Sequence, residues 1–429
     1  MANIDNYFHY TTFFLILPEY EPNILINMIK FEQALEIVLS HTLEVEKELI
    51  PLSDAMGRIL SDNIFADRDM PPFNKSAVDG YACREEDLGE ELRVMENIPA
   101  GYYSKLAITA GFCSKIMTGA KLPEGADTVI MVEDVIEKND RVKYVTSDGE
   151  KTKNNICLKG EDLKEGDLVL EKGTLIKPEQ IAILAAMGVT QVPASKPLRI
   201  GLLSTGDEIV EPETTPNMVQ IRNSNGWQLR AQILKSGAIA NYYGIIADNE
   251  QSLGDAIKKA LYQNDILILT GGVSVGDFDF VPSIIRNLGL EIIFDKIAVQ
   301  PGKPSTFAIK RSSGCYQKTE KVVFALPGNP VSCYIQFELL IKPFVFKSMG
   351  AGNPILWFEM ASAQDYKRKH TKRKVLIPVK VGQEGRFTIV SYNGSAHIVA
   401  LNKANAVAEI PEGVSDIKAG DKLRIFFLQ

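Results

Sequence analysis

From Met28 onward the chain passes through stretches with different hydrophobic rhythms. Phe31, Ala34, Leu35, Val38 and Leu39 recur at the i, i+3, i+4 spacing of an amphipathic helix. Residues 49–51 then read as extended, and a second helix is expected before residue 70. Residues 71–162 hold no long helical period. Short β-branched runs such as Val129-Ile130 alternate there with Gly and Pro, which predicts a small β domain. The mixed pattern returns over 163–195 with a helix at 178–187, started by Pro178 and stopped by Gly188. The pieces 28–70 and 163–195 are expected to pack together, which makes 71–162 an insertion.

Residues 196–346 alternate short apolar runs with helical periods. Strands are predicted at 198–203, 240–246, 265–270, 291–297, 305–309 and 321–325. Helices are predicted at 224–235, 251–262, 281–288 and 331–346. This alternation argues for βαβ units and a mainly parallel sheet covered on both faces. The tail, 347–429, places short strands between Gly turns and predicts a small β-barrel or sandwich. The helical pattern begins only at Met28, so residues 1–27 read as a loose tail or a misassigned start.

Composition narrows the class. The 429 residues suggest about three domains at ~150 residues each. Lys and Arg number 47 against 54 Asp and Glu, and the net charge of −7 argues against a general nucleic-acid or acidic-membrane binder. The apolar run at 13–17 is too short to span a bilayer. Five scattered cysteines with no CxxC pair fit reduced thiols in the cytoplasm better than disulfides or a zinc site.

The polar residues of 196–346 follow its predicted strands, where ligands bind in open α/β sheets. They are Ser204-Thr-Gly-Asp-Glu208, Ala247-Asp248, Thr270-Gly-Gly-Val-Ser-Val-Gly-Asp-Phe-Asp279, Gln300-Pro-Gly-Lys-Pro304 and Leu326-Pro-Gly-Asn-Pro330. Gly271, Gly272 and Gly276 let backbone approach a ligand and offer N–H groups to an anion. Lys303, between Gly302 and Pro304, supplies a positioned charge for an oxyanion. Residues 327–332, with Asn329, lead into a helix whose first turn offers N–H groups. Glu208, Asp248, Asp277 and Asp279 are hard oxygen ligands suited to Mg²⁺ bridging phosphates. Carboxylates beside an anion cradle repel the anion unless a cation lies between them.

Any one of these loops alone reads as ordinary turn chemistry, and Asp277 or Asp279 also suits a helix cap. Five at successive strand ends are harder to dismiss. There is no Walker A pattern and no dinucleotide fingerprint on the first strand turn. The four histidines show no metal spacing. In the β insertion, 70–81 and 115–120 are polar turns in apolar surroundings and read equally well as buried loops. The run 367–374 packs six cations into eight residues. It reads as a solvated edge strand, or as a device that steers an anion.

Taken in order, these motifs resemble the molybdopterin molybdenumtransferase family (molybdenum insertases), whose relatives include the C-terminal part of gephyrin. The resemblance runs from about Met28 to the C-terminus. It is carried by 72–82, 116–120, 123–127, Gly160-Glu-Asp162, 204–208, 271–277, 301–304 and 326–332. It implies an α/β multidomain protein. A bipartite linker domain (28–70 and 163–195) carries an inserted β domain (71–162). A three-layer, adenylyltransferase-like α/β domain with a mainly parallel sheet (196–346) and a C-terminal β-barrel (347–429) follow.

The resemblance implies a homodimer with its cleft between subunits, and an upstream molybdopterin adenylyltransferase. The reaction inserts molybdenum from molybdate into adenylylated molybdopterin with Mg²⁺-dependent release of AMP. Glu208, Asp248, Asp279 and Lys303 are then the catalytic candidates, the three carboxylates as Mg²⁺ ligands. Thr118, Asp162, Ser274, Gly271, Gly272, Gly302, Pro301, Asn329 and Ser395 are the substrate-binding candidates. Asn74, Asn249, Gln300 and Ala400 depart from the family pattern at positions that often hold Asp, Asp, Lys and a hydroxyl residue. Two other activities share this resemblance: a non-catalytic pterin-binding scaffold, and the adenylyltransferase step itself.

Overall fold

The computed structural model describes residues 28–145, 154–272, 280–312, 318–391 and 394–428. Ser274, Asp277 and Asp279 therefore lie outside the described residues, as do residues 1–27.

The six strands of the central sheet are β1 (Arg199–Thr205), β2 (Ile239–Ile246), β3 (Ile266–Thr270), β4 (Glu291–Lys296), β5 (Pro304–Arg311) and β6 (Thr319–Leu326). Their order is β2-β1-β3-β6-β5-β4. The first four in that order run parallel, while β5 is antiparallel to both β6 and β4. Helices α1 (Ser224–Lys235), α2 (Glu250–Gln263), α3 (Val281–Asn287) and α4 (Pro330–Gln336) connect and flank them.

The uninterrupted apolar runs are explained by burial on both faces. Ile200, Leu202, Ile266, Ile268, Val322 and Phe324 pack against α1 and α4, whereas Leu203, Leu267, Leu269, Val323 and Ala325 pack against α2 and α3. Adjacent residues of one strand serve opposite layers, so neither face tolerates a polar residue. Because β4 returns antiparallel to β5, the loop that joins them opens at the same rim as the ends of β1, β2, β3 and β6. The described residues of all five polar loops therefore begin at one edge of the sheet.

Around this unit, strand Lys47–Pro51 pairs antiparallel with Gln191–Ser195, and Ile64–Phe65 pairs with Leu168–Leu170. The expected second helix before residue 70 is absent. Its place holds one 3₁₀ turn, Leu52–Asp54, and Gly57 at φ +77° turns the chain before a helix can extend. Between the paired pieces lies a six-stranded sheet built from Gly80–Cys83, Glu91–Ile98, Phe112–Ile116, Thr128–Met131, Val135–Lys138 and Arg141–Tyr144.

In the tail, Phe358–Ser362, Lys374–Val381, Arg386–Ile389, Ala406–Ile410 and Lys422–Phe427 close into a five-stranded barrel, because Lys374–Val381 pairs with Ala406–Ile410 as well as with Arg386–Ile389. A sixth short strand, Val299–Gln300, leaves the α/β unit and pairs parallel with the start of Lys374–Val381. That pairing fixes the Pro-Gly-Lys-Pro loop against the barrel.

Candidate functional site

Two polar clusters lie along the rim. The first is acidic. Strand β1 is buried to its end, and Thr205 Oγ1 donates a hydrogen bond to Asp248 Oδ1 just past β2. The Asp248 backbone N–H donates to Asp207 Oδ1 at 3.2 Å. Gly206 bends the chain so that Glu208 folds back over it, and a Cβ there would lie 2.8 Å from Glu208 Oε2. Thr205, Asp207, Glu208 and Asp248 therefore collect at the tips of two neighbouring strands.

The three carboxylates among them offer hard oxygen donors, the chemistry Mg²⁺ requires. Among the described residues no group of three or more His, Cys, Asp or Glu side chains is disposed to enclose a metal by itself. A Mg²⁺ ion at such a place would complete its shell with phosphate oxygens and water.

The rim is braced from behind. Asn223 caps α1 by accepting from the Gly226 N–H at 2.9 Å, and it receives the Ser204 hydroxyl at 3.2 Å. Asn225 donates to Thr270 Oγ1 at 3.0 Å and to the Gly328 carbonyl at 2.7 Å, which ties the ends of β3 and β6 together. Tyr242 receives the Asn223 amide at 2.6 Å and itself donates to Glu211 Oε1, and burial pushes its phenol well above the usual range.

Gly271, at φ +92°, brings its Cα against the Thr205 carbonyl; a Cβ would overlap that oxygen outright. Gly271→Ala is therefore expected to cost on the order of 2–3 kcal/mol and to lower the melting temperature by about 5–10 °C, measured by calorimetry. An unchanged melting transition would show that the strand ends need not approach so closely.

The second cluster is basic. A cavity of about 280 Å³ opens between the α/β unit and the barrel, and its walls include Gln300, Lys303, Asn329, Ser332, Arg373 and Ser395, with Pro301 and Gly302 beside them. Arg373 is oriented by a 3.2 Å hydrogen bond to the Val299 carbonyl. The Val331 N–H, in the first turn of α4, donates to the Ser395 carbonyl at 3.1 Å. That amide is therefore taken by the protein, and the helix offers one fewer free donor than its sequence implies. Two cations, two hydroxyls and two amides converge on a space suited to a small oxyanion.

The basic run is not a uniform edge strand. Arg368 is spent on the carbonyls of Val414, Arg373 and Pro411, Lys367 pairs with Asp416, and Lys374 pairs with Glu32 and Glu409. Arg373 reaches the cavity. Nothing within the run singles out this residue along the sequence, because the distinction depends on which carbonyls the barrel presents.

Thr118 is exposed and bonded within the inserted region, and Asp162, also exposed, is bonded to the linker piece. Asp79 Oδ1 accepts both the backbone N–H and the hydroxyl of Thr118 at 2.7 Å, which lowers the Asp79 pKa. Asp162 donates its backbone N–H to Met70 at 3.0 Å. Both partners, Asp79 and Met70, lie outside the α/β unit. Two departures from the family pattern have local explanations. Asn249 caps α2 by accepting from the Ser252 N–H at 2.8 Å, and Asn74 Oδ1 accepts from the Lys159 N–H at 2.8 Å. Gln300 lines the cavity, and Ala400 is buried in the short helix Val399–Lys403.

Comparison with known proteins covers nearly the whole chain. Residues 29–188 match the MoeA N-terminal region (domains I and II), 201–347 match a probable molybdopterin binding domain, and 361–428 match the MoeA C-terminal region (domain IV). A molybdopterin molybdenumtransferase of Staphylococcus epidermidis is 35% identical over 403 residues, spanning 92% of this chain and 94% of that protein. One from Bacillus subtilis is 32% identical over 413 residues, spanning 94% of each. The crystal structure of the molybdopterin biosynthesis moeA protein of Pyrococcus horikoshii superposes with a TM-score of 0.78 at 29% identity, covering 94% of this chain and all of that one.

Proposed function

As a member of the molybdopterin molybdenumtransferase family, this chain is a transferase of molybdenum cofactor biosynthesis, and we propose how its two rim clusters divide the work. The basic cavity takes molybdate. Lys303 and Arg373 balance its charge, while Ser332 and the Asn329 and Gln300 amides donate to its oxygens. Adenylylated molybdopterin lies along the rim, with its phosphates toward Gly271, Gly272 and the acidic cluster. Glu208 and Asp248, together with Asp279, hold Mg²⁺. When bound, Mg²⁺ offsets phosphate charge and makes AMP a better leaving group.

The protein's own residues supply position. Thr205 holds the Asp248 carboxylate in place, and Asn225 fixes the spacing between the Gly271 turn and the 327–330 loop. Lys303 and Arg373 keep the oxyanion beside the dithiolene that receives the metal. Thr118 and Asp162 have their hydrogen-bond partners Asp79 and Met70 outside the α/β unit, and in this reading they serve the cleft of a second copy in a homodimer. A molybdopterin adenylyltransferase supplies the nucleotide-bearing substrate. The four described cysteines are all unpaired thiols, which supports a reducing, cytoplasmic setting. Among the described residues no helix is long and apolar enough to cross a membrane.

The observation that carries this reading is the convergence of Lys303 from the α/β unit with Arg373 and Ser395 from the barrel on one small cavity. Incubating the purified chain with adenylylated molybdopterin, molybdate and Mg²⁺ is expected to release AMP and load molybdenum in equal amounts. Transfer of AMP from ATP to molybdopterin instead would assign the chain to the preceding step. Pterin binding with neither reaction would leave it a scaffold.

A further inference from the structure

Arg373 reaches the oxyanion cavity from a loop that, by its charge, should hold it poorly. Residues 368–373 join the short strand Tyr366–Lys367 to Lys374–Val381 and form neither helix nor strand. Six cations fall within 367–374, and their mutual repulsion favours a spread loop. A long side chain on such a loop would sample many directions, and holding an ion would cost the ordering of the loop as well.

Arg368 counters this. Its guanidinium closes the loop on itself, because Nη1 donates to the Arg373 carbonyl at 2.9 Å. Nε and Nη2 donate to the carbonyls of Val414 and Pro411 in the neighbouring turn. The Gly413 N–H of that turn donates to the Thr371 carbonyl at 2.9 Å and grips the middle of the loop. On the far side of Arg373, Lys374 pairs in register with Val299. The Val299 carbonyl also accepts the Arg373 head at 3.2 Å. The Arg373 main chain is thus held from both sides and its head from a third point. Among these anchors of the main chain, Arg368 is the one supplied by a side chain, so substitution can remove it.

On the reading of this cavity as the molybdate site, we propose that Arg368 is a positioning residue: by holding the Arg373 carbonyl it aims the Arg373 guanidinium at the bound oxyanion, without touching the ion. The contact uses none of the Arg373 N–H donors, which stay available for the ion and the Val299 carbonyl. Arginine suits this task, because its planar fork reaches three separate carbonyls, whereas an ammonium presents its donors from a single point. A loop ordered in advance spares the ion that cost on binding.

The test is a double-mutant cycle on the full chain, with sodium molybdate as titrant, calorimetry for affinity and thermal melting for the fold. Arg368→Met is expected to raise the Kd for molybdate about ten-fold. In an Arg373→Met background the same substitution is expected to change Kd less than about two-fold, because the group it positions is gone. If Arg368→Met does not melt cooperatively, Arg368→Lys takes its place in both backgrounds, with an expected rise of about three-fold in the presence of Arg373. A clamp that serves only the barrel would lower the melting temperature and leave Kd unchanged, which would overturn the proposal. Equal effects in the two backgrounds would also overturn it, since Arg368 would then act independently of Arg373. Failure of the wild-type chain to bind molybdate, or an Arg373→Met chain that binds it as tightly as wild type, would instead overturn the reading of the cavity and the role of Arg368 with it.

Discussion

Lys303→Ala is expected to slow molybdenum insertion by about 10²–10³-fold, the usual cost of deleting one positioned group that stabilises an oxyanion. The side chain is exposed at the cavity mouth, and its loop is anchored where the Ile297 N–H donates to the Lys303 carbonyl at 2.9 Å. Removing the ammonium should therefore leave the backbone in place. The loss should appear in the dependence on molybdate, with the KM for the nucleotide-bearing pterin nearly unchanged. Raising ionic strength should weaken molybdate binding in the wild-type chain more than in the variant, since less charge remains to be screened. Lys303→Arg should restore only part of the rate, because a planar guanidinium does not replace a compact ammonium on a short loop. Steady-state kinetics with each substrate varied in turn would check this. A variant with normal molybdate dependence would remove Lys303 from the oxyanion site.

Asp248→Asn offers a sharper result than alanine. Asparagine keeps an Oδ1 that can accept the Thr205 hydroxyl, so the local fold should persist while the negative charge is lost. AMP release is expected to fall about 100-fold or more at fixed Mg²⁺, consistent with loss of a metal-holding carboxylate. Added Mg²⁺ should recover part of the rate, because the defect lies in holding the ion. Asp248→Ala should show the same kinetic loss together with lower stability, from an unpaired Thr205 hydroxyl. Rate measurements across a Mg²⁺ titration, paired with melting curves, separate the two contributions. If Asp248→Asn works normally at low Mg²⁺, its carboxylate does not hold the cation.

Much of the α/β fold can be read along the chain because burial on both faces leaves its mark on every strand. Runs such as Ile266-Leu-Ile-Leu admit no polar residue, and the helices between them carry their own caps, Asn223 and Asn249. The five polar loops were legible for the same reason, since polarity stands out after an apolar strand. The second N-terminal helix failed because a few apolar residues near Leu52 mimic a helical period, while Gly57 ends it after one 3₁₀ turn.

Arg373 shows the opposite limit. Within a run of six cations no local pattern separates the one that reaches the cavity from Arg368, which three carbonyls immobilise.

Sequence alone thus determined the alternation of strands and helices, the loops that carry acidic and basic chemistry, and the family. These depend on residues near one another in the chain, whose periodicity and turn chemistry are local. Tertiary structure alone decided that β4 turns back so the Pro-Gly-Lys-Pro loop joins the common rim, and that Val299–Gln300 pairs with the barrel. It also decided which cation faces the oxyanion cavity. The barrel pairing and the choice of cation rest on contacts between segments about 75 residues apart, such as Val299 with Arg373. Their energy comes from packing and hydrogen bonding across domains, which no window along the chain contains.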